Sequence, residues 1–182
     1  MKNILGLVLL FSLSFIEAAA SENKPYEMPS TQVMPIQDSE SKGQYELYIK
    51  LPEEYLKDSE KTYPVIYFTD AIYHIEILPT SIVNIMKDII LVGVSWQKDI
   101  KDDVKQKHGA HASRFEDYSF WKKTHPILQF GQASNHLAFI RNDVFNYVEQ
   151  NYRANPNERS YFGHSLGGVF GAYILVSLGY QI

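Results

Sequence analysis

No cysteine occurs in the 182 residues, which excludes disulfide staples, thiolate metal centres and a thiol nucleophile. A basic excess is missing too. Seventeen Lys and Arg stand against 21 Asp and Glu, a net charge of −4, so the chain lacks the positive surface by which proteins hold nucleic acid. Beyond the first residues no apolar run approaches the roughly 20 residues that a membrane-spanning helix needs. A fourth absence is local: from Leu166 to Ile182 there is no Asp, no Glu and no His.

That last gap matters because of what stands before it. Tyr161-Phe162-Gly163-His164-Ser165-Leu166-Gly167-Gly168 holds a G-x-S-x-G pattern between a short apolar strand-like run and an apolar helix-like one, the setting of a nucleophile elbow. A serine hydroxyl is a weak nucleophile at neutral pH and must be exposed, oriented and given a base. A strained strand-to-helix turn supplies the first two. Gly163 and Gly167 flank Ser165 because side chains there would collide in the turn. The helix start aims its positive end at the reacting carbonyl, which makes the Leu166 N–H one half of an oxyanion hole. In the fold that uses this turn the acid and the histidine follow the serine, and here none follows.

Residues 1–20 read as an export signal, with Lys2 in a positive n-region, an apolar stretch from Ile4 to Ile16 and a small-residue cleavage site at Ala18-Ala19-Ala20. The stretch is too short to anchor the chain in a bilayer, so export to a periplasm or the exterior is expected, with no stable membrane span after cleavage. Residues 21–43 form a polar lead-in whose one strand-like piece is Gln32–Ile36, and residues 44–182 make one domain. Gln44–Leu51 alternates as a half-buried strand. Tyr63–Thr69 and Asp88–Val94 are continuous β-branched and aromatic runs that fit interior strands, and Ile75–Lys87 between them reads as a covering helix that Pro79 delays or kinks. Ser95–Gly131 reads as a long polar loop. Leu137, Ile140, Val144 and Val148 make one helical stripe over Ser134–Tyr152. Asn155-Pro156-Asn157 then breaks the chain before a strand at Arg159–Phe162, and Ser165–Leu178 reads as an apolar, largely buried helix.

From Tyr45 to Gly168 the chain resembles the esterase family of the α/β-hydrolase superfamily, which includes esterase D and the siderophore esterases. Tyr48-Ile49-Lys50-Leu51-Pro52-Glu53-Glu54-Tyr55 is similar to its V-x-L-P-x-x-Y strand end, Tyr63–Asp70 to its Y-P-V-L-Y-L-L-D strand, and Leu91-Val92-Gly93-Val94 to its I-V-V-G-I strand. Arg114 with Asp117-Tyr118-Ser119 is similar to its R-x-x-D-[LFY]-[TS] segment, and Leu137–Tyr152, Arg159 and Gly163–Gly168 to its F-L-x-F-I…Y…R…G-H-S-L-G-G block. The resemblance implies an α/β fold: a mostly parallel sheet flanked by helices, of which this chain is the N-terminal portion, truncated at the C-terminus with the last strands missing. It also implies a second oxyanion donor from the backbone of Ala71 or Ile72. The family's Asp-Gly is here Asp70-Ala71, and a left-handed backbone at the alanine would be strained.

The expected function is hydrolysis of a small-molecule carboxylic ester or thioester through Ser165, without cofactor or metal, and with the acid and His of the triad absent from this chain. The alternative is a catalytically inactive remnant or a binding protein of the same fold, self-associating through an exposed C-terminal edge. His164 reads as structural, because neighbours at a sharp turn project apart. The H-x-x-H pair His108 and His111 does not carry a metal reading without cysteine nearby. Tyr118, Phe120 and Trp121 either line an acyl pocket or anchor their own loop. Arg114 and Asp117 read as an ion pair shaping that loop rather than touching substrate. Asp70, at the carboxyl end of a parallel strand, either holds the oxyanion loop or caps the next segment. The mixed-charge run Lys98–Lys107 reads as a solvated surface.

Overall fold

The continuous run Ile90-Leu91-Val92-Gly93-Val94 has every residue buried, as expected of a strand covered on both faces. In the computed structural model, which describes residues 27–57, 59–82 and 86–179, this strand is β4 and lies at the centre of a five-stranded sheet ordered β1-β2-β4-β3-β5. The others are β1 (Thr31–Gln37), β2 (Gln44–Lys50), β3 (Tyr63–Phe68) and β5 (Ala154–Phe162). β4 pairs with β3 in parallel and β3 with β5 in parallel, whereas β2 runs antiparallel to both β1 and β4. Four strands therefore point one way and β2 alone is reversed. The strand-like piece Gln32–Ile36 lies within β1, at one edge of the sheet.

Alternation in β2 sends Tyr45, Leu47 and Ile49 to one face. There they join Tyr63, Val65 and Tyr67 of β3, Ile90, Val92 and Val94 of β4, and the stripe Leu137, Ile140, Val144 and Val148 in the larger core. The opposite face carries a smaller core of Phe68, Ala71, Ile75, Leu78, Ile89 and Leu91. Each fully buried large apolar side chain contributes about 1.5–3 kcal/mol, so the two layers of helix are held by these faces.

The helices depart from the sequence reading in instructive ways. Of the expected Ile75–Lys87 helix the described residues show α2 (Ile77–Ile82), preceded by a short separate turn of helix, α1 (Ala71–His74), and residues 83–85, Ile85 among them, lie outside the described residues. Pro79 sits in the first turn of α2, where a missing N–H costs nothing. Ser95–Gly131 is not all loop, since it contains α3 (Asp102–His108) and α4 (Ser113–Asp117), both too short to show a helical stripe. The long helix is present as α5 (Ala133–Phe139) and α6 (Phe145–Asn151), joined by a π-helical turn at Ile140–Val144. β5 starts at Ala154, earlier than expected. Its register jumps from Tyr63↔Ala154 to Val65↔Arg159, so Asn155-Pro156-Asn157 bulges out of the ladder instead of preceding the strand, as Pro on an edge strand allows.

The last helix, α7 (Leu166–Gly179), is corrected most. It is expected to be largely buried, yet among its described side chains only Gly167 and Phe170 are buried, while Val169, Leu175 and Val176 are exposed by 37%, 75% and 57%. β5, beneath it, is the sheet edge. No helix among the described residues is long and apolar enough to cross a membrane. The expected export signal, residues 1–20, lies outside the described residues.

Candidate functional site

The three parallel strands deliver their carboxyl ends to one place: Thr69 and Asp70 after β3, Ser95 and Trp96 after β4, and Gly163 to Ser165 after β5. This is where sheets of this kind place ligands. Ser165 is exposed and adopts a left-handed backbone, φ 55, a conformation costly for a non-glycine residue and concentrated at functional turns. The glycines around it answer to space. A Cβ on Gly163 would stand 2.3 Å from the Gly167 carbonyl oxygen, and one on Gly167 would stand 2.5 Å from Thr69 Oγ1. Leu166 opens α7, and first-turn amides have no partner within their helix.

Asp70 makes the facing turn. Its backbone is left-handed, φ 56 and ψ 44, so the strained position falls on the aspartate, and Ala71 follows as the buried first residue of α1. The alanine that replaces the family's glycine therefore carries no such strain. Ile72, the other implied donor, is 41% exposed. The Asp70 carboxylate accepts from Trp96 Nε1 at 2.6 Å and from both Arg114 Nε and an Arg114 terminal nitrogen at 3.0 Å. The pair is buried, with 2% of the Asp70 and 16% of the Arg114 side chain exposed, and the guanidinium also lies 5.8 Å over the Tyr118 ring. Stripping one partner from such a pair costs about 3–5 kcal/mol. Of the two sequence readings of Asp70, the structure has its carboxylate tying down the turn, with no side-chain cap bond to α1.

The expected Arg114–Asp117 pair is corrected by this arrangement, because Arg114 is taken by Asp70. Asp117 is buried and accepts from Tyr45 Oη at 3.3 Å. Burial first, and then the neighbouring Glu116, push its carboxyl up to about 7, with hydrogen bonds to Ser113 and Tyr45 acting the other way.

A second tie crosses between the two turns. Tyr161 Oη donates to the Gly167 carbonyl at 2.9 Å and sits 3.0 Å from Thr69 Oγ1. The phenol has one proton and burial raises its pKa, so Thr69 is the donor in the other bond. Trp96, Thr69 and Tyr161 had no signal in the sequence beyond their places at strand ends. Each acts across a different strand.

The remaining candidates separate. Tyr118 is buried, Phe120 stacks on Tyr173 with centroids 6.1 Å apart, and Trp121 meets Phe120 edge-on at 5.2 Å, contacts that tie the loop to α7. His111 packs on Trp96 and Phe115, while His108 faces His125 at 5.5 Å. No group of three or more metal-ligating side chains gathers among the described residues. His164 is exposed and lies 6.0 Å from His74, centroid to centroid.

The family model described as “Putative esterase” matches residues 39–177. Among solved structures, the chain is similar to the BES protein from Bacillus cereus, at 23% identity and a TM-score of 0.65, over 85% of this chain and 58% of that one. It is also similar to an IroE-like serine hydrolase from Shewanella oneidensis, at 22% identity and a TM-score of 0.66, over 80% of this chain and 46% of that one. A third is the siderophore hydrolase EstB from Aspergillus nidulans, at 18% identity and a TM-score of 0.64, covering 84% and 54%. The chain thus spans about half the length of the structures it matches. At these identities the likeness is one of fold. No curated protein matches the sequence.

Proposed function

The chain belongs to the esterase family, and from that premise we propose that it hydrolyses small-molecule carboxylic esters or thioesters with Ser165 as nucleophile. The observation that carries this reading is the left-handed, exposed Ser165 at the β5–α7 turn, hemmed by two glycines that tolerate no side chain. In the proposed reaction Ser165 Oγ attacks the acyl carbonyl carbon and its proton passes to a base. The Leu166 N–H and that of Ala71 or Ile72 donate to the tetrahedral oxyanion, whose collapse expels the alcohol or thiol as it takes back that proton, and a water then attacks the acyl-serine by the same route to release the acid and restore Ser165. The chemistry calls for no cofactor. No Asp, Glu or His follows Ser165 in this sequence, so the general base is unassigned and turnover by these residues is expected to be slight. Export is proposed with it, from the charge and apolar pattern of residues 1–20.

The test is a fluorophosphonate probe read by intact mass, beside an aryl acetate assay. A single adduct is expected at Ser165, formed slowly and lost in Ser165→Ala, with aryl ester turnover well below the ~1–1000 s⁻¹ of ordinary enzymes. An adduct that persists in Ser165→Ala, or none at all, overturns the nucleophile. Turnover at an ordinary rate would instead mean that an upstream histidine serves as base.

A second reading, a non-catalytic binding protein of the same fold, is favoured by the exposed apolar residues of α7 beside the open edge of β5. Under that reading the probe leaves Ser165 unmodified.

A further inference from the structure

We propose that His74 and His164 form a two-histidine site for a Zn²⁺ or Cu²⁺ ion at the rim of the serine turn. The two imidazoles come from different elements, His74 from the end of α1 and His164 from the turn before Ser165. Their centroids lie 6.0 Å apart and their planes are inclined by 71°. With metal–nitrogen bonds of about 2.0–2.1 Å, two imidazoles on one ion have ring centres roughly 5–6 Å apart, so the spacing suits one shared ion. Neither ring is engaged in a hydrogen bond or ion pair among the described residues, and His74 meets the rings of Phe162 and His164 in edge-on arrangements.

Imidazole nitrogen suits Zn²⁺ and Cu²⁺ better than the oxygen-seeking Mg²⁺ or Ca²⁺. Two protein ligands leave the other positions of a tetrahedral ion to water or to an oxygen of an arriving molecule.

The other close imidazole pair shows what such a site cannot be. His125 Nδ1 accepts the backbone N–H groups of Ile127 and Leu128 at 3.3 and 3.0 Å, so its proton is on Nε2 and that nitrogen has no lone pair for a metal. His108 Nε2 is buried beside it without a hydrogen-bond partner, so in that pair only His108 has a nitrogen to offer, whereas in the His74–His164 pair both rings do.

Binding is independent of the hydrolase reading and is measured without any ester. The untagged chain is titrated calorimetrically with ZnCl₂ at pH 7.5, and with Cu²⁺ under electron paramagnetic resonance. One ion per chain with micromolar affinity is expected, with two imidazole nitrogens in the Cu²⁺ spectrum. His164→Ala and His74→Gln should each weaken binding by about tenfold or more and leave one nitrogen, while His111→Ala changes neither. Circular dichroism checks that each variant folds, and the exposed His164 makes its variant the safer one. An absence of binding, or binding that survives both substitutions, overturns the site. So does equal loss in His111→Ala.

Discussion

At the scale of single residues, the backbone of Ser165 is the most costly feature of the turn. A left-handed conformation costs a residue bearing a Cβ about 1–2 kcal/mol, and glycine, which escapes that cost, gives back about 0.5–1 kcal/mol in chain entropy. Ser165→Gly is therefore expected to raise the stability of the chain by up to about 1 kcal/mol, whereas Ser165→Ala, which keeps the Cβ, should not. Urea midpoints of the three proteins check this, and a glycine variant no more stable than the alanine one would refute it. Ser165, Gly163 and Gly167 were legible in the sequence because a turn is local and its glycines are set by spacing alone. Thr69, Trp96 and Tyr161 were not, because their partners are contributed by other strands. The strain expected at Ala71 was displaced by one residue, since the turn after β3 bends at Asp70.

At the scale of elements, α4 is pinned to β2 through the buried Asp117 and Tyr45, and to the β3 turn through Arg114. Sequence placed both charged residues in one loop and paired them with each other. A five-residue helix shows no periodicity, so nothing along the chain indicated that the two side chains leave α4 for different partners. The junction has a pH signature. Burial raises Asp117 from 3.8 to about 7, so the folded chain keeps that proton where the unfolded chain has lost it. The stability it contributes is fully present below pH 3.8 and is lost as pH rises toward 7. His136, enclosed by Tyr45, Tyr118, Phe139 and Phe170, is lowered by burial from 6.5 to about 4, and so loses stability as pH falls from 6.5 toward 4. The two effects oppose each other over much the same range. Asp117→Asn removes one of them, so its stability should climb more steeply than the parent's between pH 4 and 6.5. Denaturant midpoints at several pH values measure this, and parallel curves would sink the idea.

At the scale of the whole molecule, the parallel pairing of β3 with β4 and the two-sided core were legible in the apolar runs, because burial on both faces leaves a continuous pattern and burial on one face an alternating one, whereas the reversed direction of β2 was not. The exposure of α7 did not follow from its composition, since an apolar helix reads as buried whatever covers it. With β5 open and Leu175 and Val176 outward, the chain is expected to self-associate in a concentration-dependent way. Leu175→Glu combined with Val176→Lys should shift sedimentation toward the monomer with an unchanged circular dichroism spectrum. A parent chain that stays monomeric at high concentration rules the association out.

The phenol of Tyr161 reaches from the serine turn to the turn after β3, and Asp70 is itself strapped to Trp96 and Arg114. The serine turn and the turn after β3 are therefore tied to each other as well as to their own strands. The conformational entropy of arranging them is spent when the chain folds, so under the proposed reaction a substrate would meet turns already ordered, which is the condition for small contacts to yield useful affinity.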